Sequence, residues 1–255
     1  MTSTDTTKTR AGTTGSACPV CGASAHRPFA DKDGYAFQRC GECRFVFLDP
    51  MPTDGELAAI YNSGGEAPGY FSKHASRARR AHLKLPRFFR YIVGKDVLDL
   101  GCGGGIMVAA LGRLARHAVG LDISAQAIEL ARATYPKHTY IAAHFRDASL
   151  EADAFDFVHA SEIIEHVNDL DAFMNLLQRI TRPGGYVYIT TPDIGHAKVP
   201  SEVRDWDVFS PPRHLQFFER STLTRVFANY GFEARRKYFD AKPGLQMLFR
   251  KTGNG

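Results

Sequence analysis

From Lys95 onward, short β-branched apolar runs alternate with stretches in which apolar residues recur every three or four positions. The runs 95–100 (KDVLDL), 118–123 (AVGLDI), 138–144 (HTYIAAH), 155–160 (FDFVHA) and 186–191 (YVYITT) predict five strands. Between them, Met107, Ala110, Leu111 and Leu114, and later Leu170, Phe173, Met174 and Leu177, follow the i, i+3, i+4, i+7 spacing of a helix with one buried face. That alternation predicts βαβ units on a parallel sheet. Ser221 is the expected N-cap of a last helix carrying Leu223, Val226, Phe227 and Tyr230, with Gly231 closing it. The runs 232–240 (FEARRKYFD) and 245–251 (LQMLFRK) are joined by only four residues, so they must run antiparallel, because a parallel crossover needs a dozen or more.

Upstream of Lys95 the pattern differs. Residues 1–16, rich in Thr, Ser and Gly, bury nothing that would offset their ordering entropy and are expected to form a disordered tail. Residues 17–52 are rich in cysteine and turns, 53–92 are helical and basic, and 93–255 form the main α/β domain. Of five cysteines, four stand as Cys18-Pro-Val-Cys21 and Cys40-Gly-Glu-Cys43. Two such knuckles complete the tetrahedral S4 shell that zinc accepts, and with no coordination position left open the metal is expected to be structural. His26 lies between the knuckles and is expected to be an ordinary surface histidine, while Phe45, Val46 and Phe47 are expected to dock the ribbon on the larger domain. Across the 255 residues, 44% are apolar and 23% charged, an ordinary globular composition. No apolar run approaches the ~18 residues of a membrane helix, and the first residues lack the apolar stretch of a signal peptide, so a cytoplasmic location is expected. The net charge of +5 permits an anionic partner without requiring one.

Chemistry enters at Val97-Leu-Asp-Leu-Gly-Cys-Gly-Gly-Gly105, an apolar strand running into a glycine turn and then a helix. Such a turn lets the backbone approach a nucleotide-like cofactor at the carboxyl end of the first strand. The spacing does not fit Gly-x-Gly-x-x-Gly, since the last position falls on Ile106 or Val108, which argues against NAD or FAD; no Gly-Lys-Ser/Thr ending follows for a triphosphate. Asp122 ends the second strand, where a carboxylate accepts from ribose hydroxyls. In 66–96 no acidic residue separates Glu66 from Asp96, and Arg77, Arg80, Lys84 and Arg87 recur at helical spacing as a positive stripe that Pro86 is expected to kink.

Residues Asp99 to Gly105, Asp122, Asp147, the run Ser161-Glu-Ile-Ile-Glu-His166-Val and Arg182-Pro-Gly-Gly185 together resemble a class I S-adenosylmethionine-dependent methyltransferase, over about residues 70 to 250. The resemblance implies a seven-stranded, mostly parallel Rossmann-like sheet with an antiparallel last strand, beside the small N-terminal zinc ribbon. It implies that Gly101 and Gly103 underlie the cofactor, that Asp99 orders the loop and faces the ammonium group, and that Asp122 holds the ribose. Asp147 and the Ala148 backbone would meet the adenine, and Ser161 would line the methionine pocket. An arginine of the basic helix, whether Arg79, Arg80 or Arg87, would pair the cofactor carboxylate.

A hydroxyl acceptor must lose its proton, and His166 after the fourth strand and His214 in the expected substrate cap, 192–217, are the candidate bases. Glu162, Glu165, His166 and His214 together resemble the Mg2+ or other divalent-metal site of some O-methyltransferases of ubiquinone synthesis and of small-RNA 3′ ends. No Asn/Asp-Pro-Pro-Tyr follows the fourth strand, which argues against amino-group methylation of that kind. The sequence therefore favours O-methylation of a small-molecule, sugar or glycan-like acceptor. Two other readings stay open: an RNA methyltransferase using the ribbon and the basic stripe, and a non-catalytic interaction protein on the same fold.

Overall fold

In the computed structural model, which describes residues 16–63 and 74–253, the main sheet has seven strands. They are β4 (Asp96–Leu100), β5 (His117–Asp122), β6 (Thr139–Ala142), β7 (Phe155–Ser161), β8 (Thr181–Pro192), β10 (Phe232–Lys237) and β11 (Gly244–Lys251), in the order β10-β11-β8-β7-β4-β5-β6. β6, β5, β4, β7 and β8 are parallel, and β11 runs antiparallel to both β8 and β10. The order reverses at β4, so the ends of β4 and β5 bound a crevice of the kind in which open α/β sheets hold ligands. The expected tail, apart from Ser16, lies outside the described residues.

Alternation along the strands separates two apolar layers. Val97, Phe157, Tyr188 and Leu248 face α2 (His74–Ile92), α3 (Ile106–Leu111) and α4 (Ala125–Thr134). Leu98, Val158, Val187 and Phe249 face α5 (Leu170–Ile180) and α6 (Arg220–Asn229). Phe88 fixes α2 to the first layer; it is fully buried, with its ring 4.7 Å from that of Tyr188 and 5.3 Å from that of Phe157. Burying such a side chain contributes about 1.5–3 kcal/mol.

Several local expectations change. The helix after β4 ends at Leu111, and Leu114 lies beyond it. β8 starts at Thr181, earlier than expected, because Arg182 to Gly185 form an irregularity in the pairing with β7 instead of a separate turn. α6 begins at Arg220 behind Glu219, not behind Ser221: Thr222 Oγ1 accepts from the Glu219 amide at 2.9 Å, which fixes the entry of the chain two residues earlier. α2 continues through Pro86 as one helix, held by the burial of Ala81, Leu85, Phe88 and Ile92 on both sides of it.

The N-terminal ribbon is a four-stranded antiparallel sheet, β1 (His26–Lys32), β2 (Tyr35–Cys40), β3 (Val46–Leu48) and β9 (Gln216–Phe217). β9 comes from the expected cap segment, with Val46 paired to Phe217 and Phe47 to Gln216. α1 (Asp54–Ser63) follows the ribbon. Phe45 and Phe47 are buried as expected, Phe45 against Phe218, and share a core with α6. On the other face Phe37, Val46 and Leu48 pack with Trp206, Phe209 and Leu215 of the cap segment. Among the described residues no helix is long and apolar enough to cross a membrane.

Candidate functional site

At the end of β4 the chain turns through Gly101, Gly103 and Gly105 with φ of 74°, 48° and 77°, the left-handed region that side chains rarely adopt. Gly101 is exposed, and a Cβ there would press on the end of the Ile163 side chain and sit at a strained positive φ, so glycine suits the bend. Asp122, one strand over, accepts from the Gly103 amide at 2.7 Å and from the Ser124 amide at 2.9 Å. Its carboxylate is thereby fixed at the mouth of the glycine bend. A nucleoside cofactor fits this cradle: bare backbone on one side, an oriented carboxylate on the other. Ile123, beside it, is 66% exposed, an apolar surface at the same strand end that sequence reasoning did not single out.

The other expected contacts are distributed unevenly. Asp99 is buried, and its Oδ1 lies 2.7 Å from Nδ1 of His159, its register partner on β7. Ser161 Oγ lies 2.7 Å from Thr190 Oγ1 at the carboxyl ends of β7 and β8. Asp147 is exposed, whereas the Ala148 amide already donates to the His144 carbonyl at 3.1 Å. The arginines of α2 do not point inward as a group: Arg79 and Arg80 are exposed and Arg87 donates to Gln246. Lys84 is half-buried and feels Asp99, Glu162 and Asp240; burial, and then Arg87, pull its ammonium below the ordinary lysine range. The basic stripe is therefore partly spent on packing.

A second polar group forms one strand away. Thr190 Oγ1 donates to Glu162 at 2.7 Å and Thr191 Oγ1 to Glu165 Oε2 at 3.0 Å, so two adjacent threonines at the end of β8 hold both carboxylates of the Glu-x-x-Glu-His turn. Glu165 is fully buried and its Oε1 has no hydrogen-bond partner. Burial, reinforced by Glu162, raises its carboxyl well above the usual range. His166 and His214 have ring centroids 4.7 Å apart. His166 Nδ1 donates to the Arg213 carbonyl at 2.5 Å and His214 Nδ1 to the Val208 carbonyl at 2.6 Å, which leaves both Nε2 atoms as acceptors. Burial pulls His166 down to about 4, helped by His214, and lowers His214 as well. One ligand atom from each of Glu165, His166 and His214 lies within 4.8 Å of the others; Glu162 stands outside this trio.

Gln216 joins the ribbon to this turn. It is fully buried, and its Nε2 donates to the carbonyls of Ile164 at 2.6 Å and Val167 at 3.1 Å, on either side of Glu165 and His166. The Leu215 amide donates to the Glu165 carbonyl and the Leu48 amide to the Leu215 carbonyl, both at 2.8 Å. Neither Gln216 nor Thr190 and Thr191 carries a motif; two threonines at a strand end beside an acidic turn were the available signal.

In the ribbon, Sγ of Cys18 lies 3.6 Å from that of Cys43, and Sγ of Cys21 3.5 Å from that of Cys40. All four sulfurs fall within 4.8 Å of one another, and no disulfide is formed. A tetrahedral ion with bonds of about 2.3 Å needs sulfurs about 3.8 Å apart, so zinc fits this set. Burial pushes the Cys18 thiol up; at Cys40 burial is outweighed by the amides of Cys43 and Glu42, which bring it down to about 6. His26 stays outside, its Nε2 2.8 Å from the Ser16 carbonyl.

The profile of a family described as a methyltransferase domain matches residues 72–237. The chain is 32% identical over 145 residues to the mitochondrial ubiquinone biosynthesis O-methyltransferase of Rattus norvegicus, covering 48% of this chain and 42% of that one. It is 33% identical over 111 residues to the ubiquinone biosynthesis O-methyltransferase of Rhizobium etli, covering 42% and 44%. The matched stretch thus spans less than half the length of these relatives. Among solved structures, an S-adenosylmethionine dependent methyltransferase from Mesorhizobium loti superposes with a TM-score of 0.56 at 21% identity, over 66% of this chain and 96% of that one. The [4+2]-cyclase SpnF does so with the same score at 16% identity, over 69% and 82%. At these identities the likeness concerns the fold alone.

Proposed function

Since the chain belongs to the methyltransferase domain family and has the class I S-adenosylmethionine-dependent architecture, we propose that it transfers a methyl group from that cofactor to a hydroxyl of a small-molecule or glycan-like acceptor. The observation that carries the reading is the Asp122 carboxylate fixed at 2.7 Å from the amide of Gly103, across a bend whose positive φ at Gly101 favours bare backbone. S-Adenosylmethionine, when bound, supplies an already activated methyl group, so the protein has chiefly to align the acceptor and exclude water. Gly101 and Gly103 would underlie it, Asp122 would take the ribose hydroxyls, and Ile123 would cover one face of the base. Lys84, half-buried on α2, would pair the cofactor carboxylate.

Acceptor activation falls to the Glu165, His166 and His214 trio. An imidazole held near 4 is a weak proton acceptor at neutral pH but keeps a bare Nε2 for a ligand. The unpartnered Oε1 of buried Glu165 therefore favours a divalent cation here over a lone histidine base. Such an ion, when bound, would lower the pKa of a coordinated hydroxyl; His166 and His214 would present Nε2, and Glu165 would present Oε1. The four cysteines would hold a structural zinc that fixes the ribbon, and ligands at the acceptor end would be covered by 192–217.

The test is calorimetry with S-adenosylmethionine followed by transfer of a deuterated methyl group to a panel of phenolic and sugar hydroxyls. Binding that weakens in Asp122→Ala is expected. Absence of binding by zinc-loaded, folded protein would return the chain to a scaffold role. Activity that survives a chelator while the ribbon keeps its zinc would remove the cation and leave the histidines as bases.

A further inference from the structure

Away from the cofactor bend, a cleft of about 610 Å³ opens between the ribbon and residues 194–204. Phe29 and Arg39 line it from β1 and β2; Ile194, His196, Val203 and Arg204 line it from the other side. Volumes of this order hold sugar- or nucleotide-sized ligands. The guanidinium of Arg39 lies over the Phe29 ring, 4.3 Å from its centroid, and its Nε is buried with no hydrogen-bond partner. An uncompensated donor there costs about 1–3 kcal/mol unless something accepts from it.

The surrounding charges leave that demand open. Arg27 is the register partner of Arg39 across β1 and β2, and like charges directly opposite destabilise a strand pair. Arg27 and Arg44 both act on Arg39 repulsively, and Glu219, which attracts it, is already bound to Arg44 at 3.1 Å. Of the two acidic residues lining the cleft, Glu202 is neutralised by Arg204 at 2.8 Å, and Asp31 attracts Arg204 only at longer range. A flat guanidinium fixed on an aromatic ring offers the forked donors that match two phosphate oxygens.

We propose that this cleft is a second binding site, for the phosphate or diphosphate group of a small organic ligand, with Arg39 as its forked donor and Arg27 beside it. Its residues are not those of the cofactor bend or of the Glu165, His166 and His214 trio, so it stands or falls independently of the methyl-transfer reading.

The chain provides its own reporter. Trp206, its single tryptophan, is buried in the cap core two positions from Arg204. Zinc-loaded full-length protein is titrated with sodium pyrophosphate at constant ionic strength while Trp206 fluorescence is followed, with and without saturating S-adenosylmethionine. A saturable change is expected whose dissociation constant is indifferent to the cofactor and rises about tenfold or more in Arg39→Gln. Arg27→Gln, at an exposed position, is expected to raise it by a smaller factor and keeps the test open if Arg39→Gln does not fold. An unchanged constant in both variants, no signal and no heat in the wild type, or displacement by the cofactor would overturn the site. Displacement of pyrophosphate by single-stranded RNA at lower phosphate concentration would overturn the small-molecule assignment.

Discussion

The seven-stranded and four-stranded sheets meet at the same short turn, Ile164–His166, but are held together by different means. In the large sheet, Leu98, Phe157, Val158, Val187, Ile189 and Phe249 are fully buried between helices on both faces. The ribbon has one exposed outer strand, a third strand of three residues and a fourth of two. Its core is shared with the cap and α6, and the proposed zinc would tie its four thiols together. A site shared between a self-sufficient sheet and a dependent one can lose its chemistry without losing its cofactor, and variants should separate the two.

The largest effect is expected from Cys40→Ser combined with Cys43→Ser. Structural zinc in comparable peptides contributes about 10–16 kcal/mol, so the ribbon should lose its metal and its order together. Methyl transfer should fall by about 100-fold or more, roughly 2.7 kcal/mol of barrier, while cofactor affinity measured by calorimetry changes little. Asp122→Ala is the converse break: cofactor affinity should weaken by about 10- to 100-fold with the ribbon's metal content unchanged.

Gln216→Leu sharpens the comparison at the junction. It removes both hydrogen bonds to the Ile164 and Val167 carbonyls, and a loss of about 1–3 kcal/mol in urea unfolding is expected, with kcat reduced and cofactor binding retained. A smaller effect is tied to pH. His166, with no cation bound, stays neutral down to about pH 4 in the folded chain, whereas the unfolded chain protonates it near 6.5. The unfolded state thus binds the extra proton at His166 between those values, so the contribution of His166 to stability should fall as pH drops from 6.5 towards 4, opposed by the raised carboxyl of Glu165. The difference in urea midpoint between wild type and His166→Gln, measured across that window, should shift against the wild type as pH falls.

The smallest change compares the knuckles with each other. The residue after the second cysteine is left-handed in both, Gly22 at φ 74° and Arg44 at φ 65°. Arg44→Gly should relieve about 1 kcal/mol of backbone strain and forfeit an exposed ion pair with Glu219 worth about 0–1 kcal/mol. The melting temperature should therefore stay level or rise by a few degrees.

What sequence could reveal followed from period and spacing. The five parallel strands, the terminal hairpin, the glycine bend and the paired cysteines each repeat a pattern over several residues, and each is found in the structure. β9 could not be found this way, because two residues carry no period and its partner, β3, lies near the other end of the chain. The basic stripe on α2 was visible, but its spacing does not show that Lys84 is half-buried while Arg79 and Arg80 face solvent. The roles of Gln216, Thr190 and Thr191 arise where separate segments converge, and nothing local marks them. The cap of α6 was misplaced for a similar reason: Ser221 has the side chain favoured at such a position, but the Glu219–Thr222 contact sets the start.

Because β9 completes a sheet begun near the amino terminus, the ribbon is not a detachable module. Synthesis delivers β1 to β3 long before their last neighbour exists, so this sheet should close late, once the Rossmann-like core has brought residues 215–217 into place. A shortened gene starting after position 52 would strand Phe217 and Phe209 without the Phe37 they pack on. Recombination that swaps ribbons between relatives would have to carry residues 26–48 and 216–217 together.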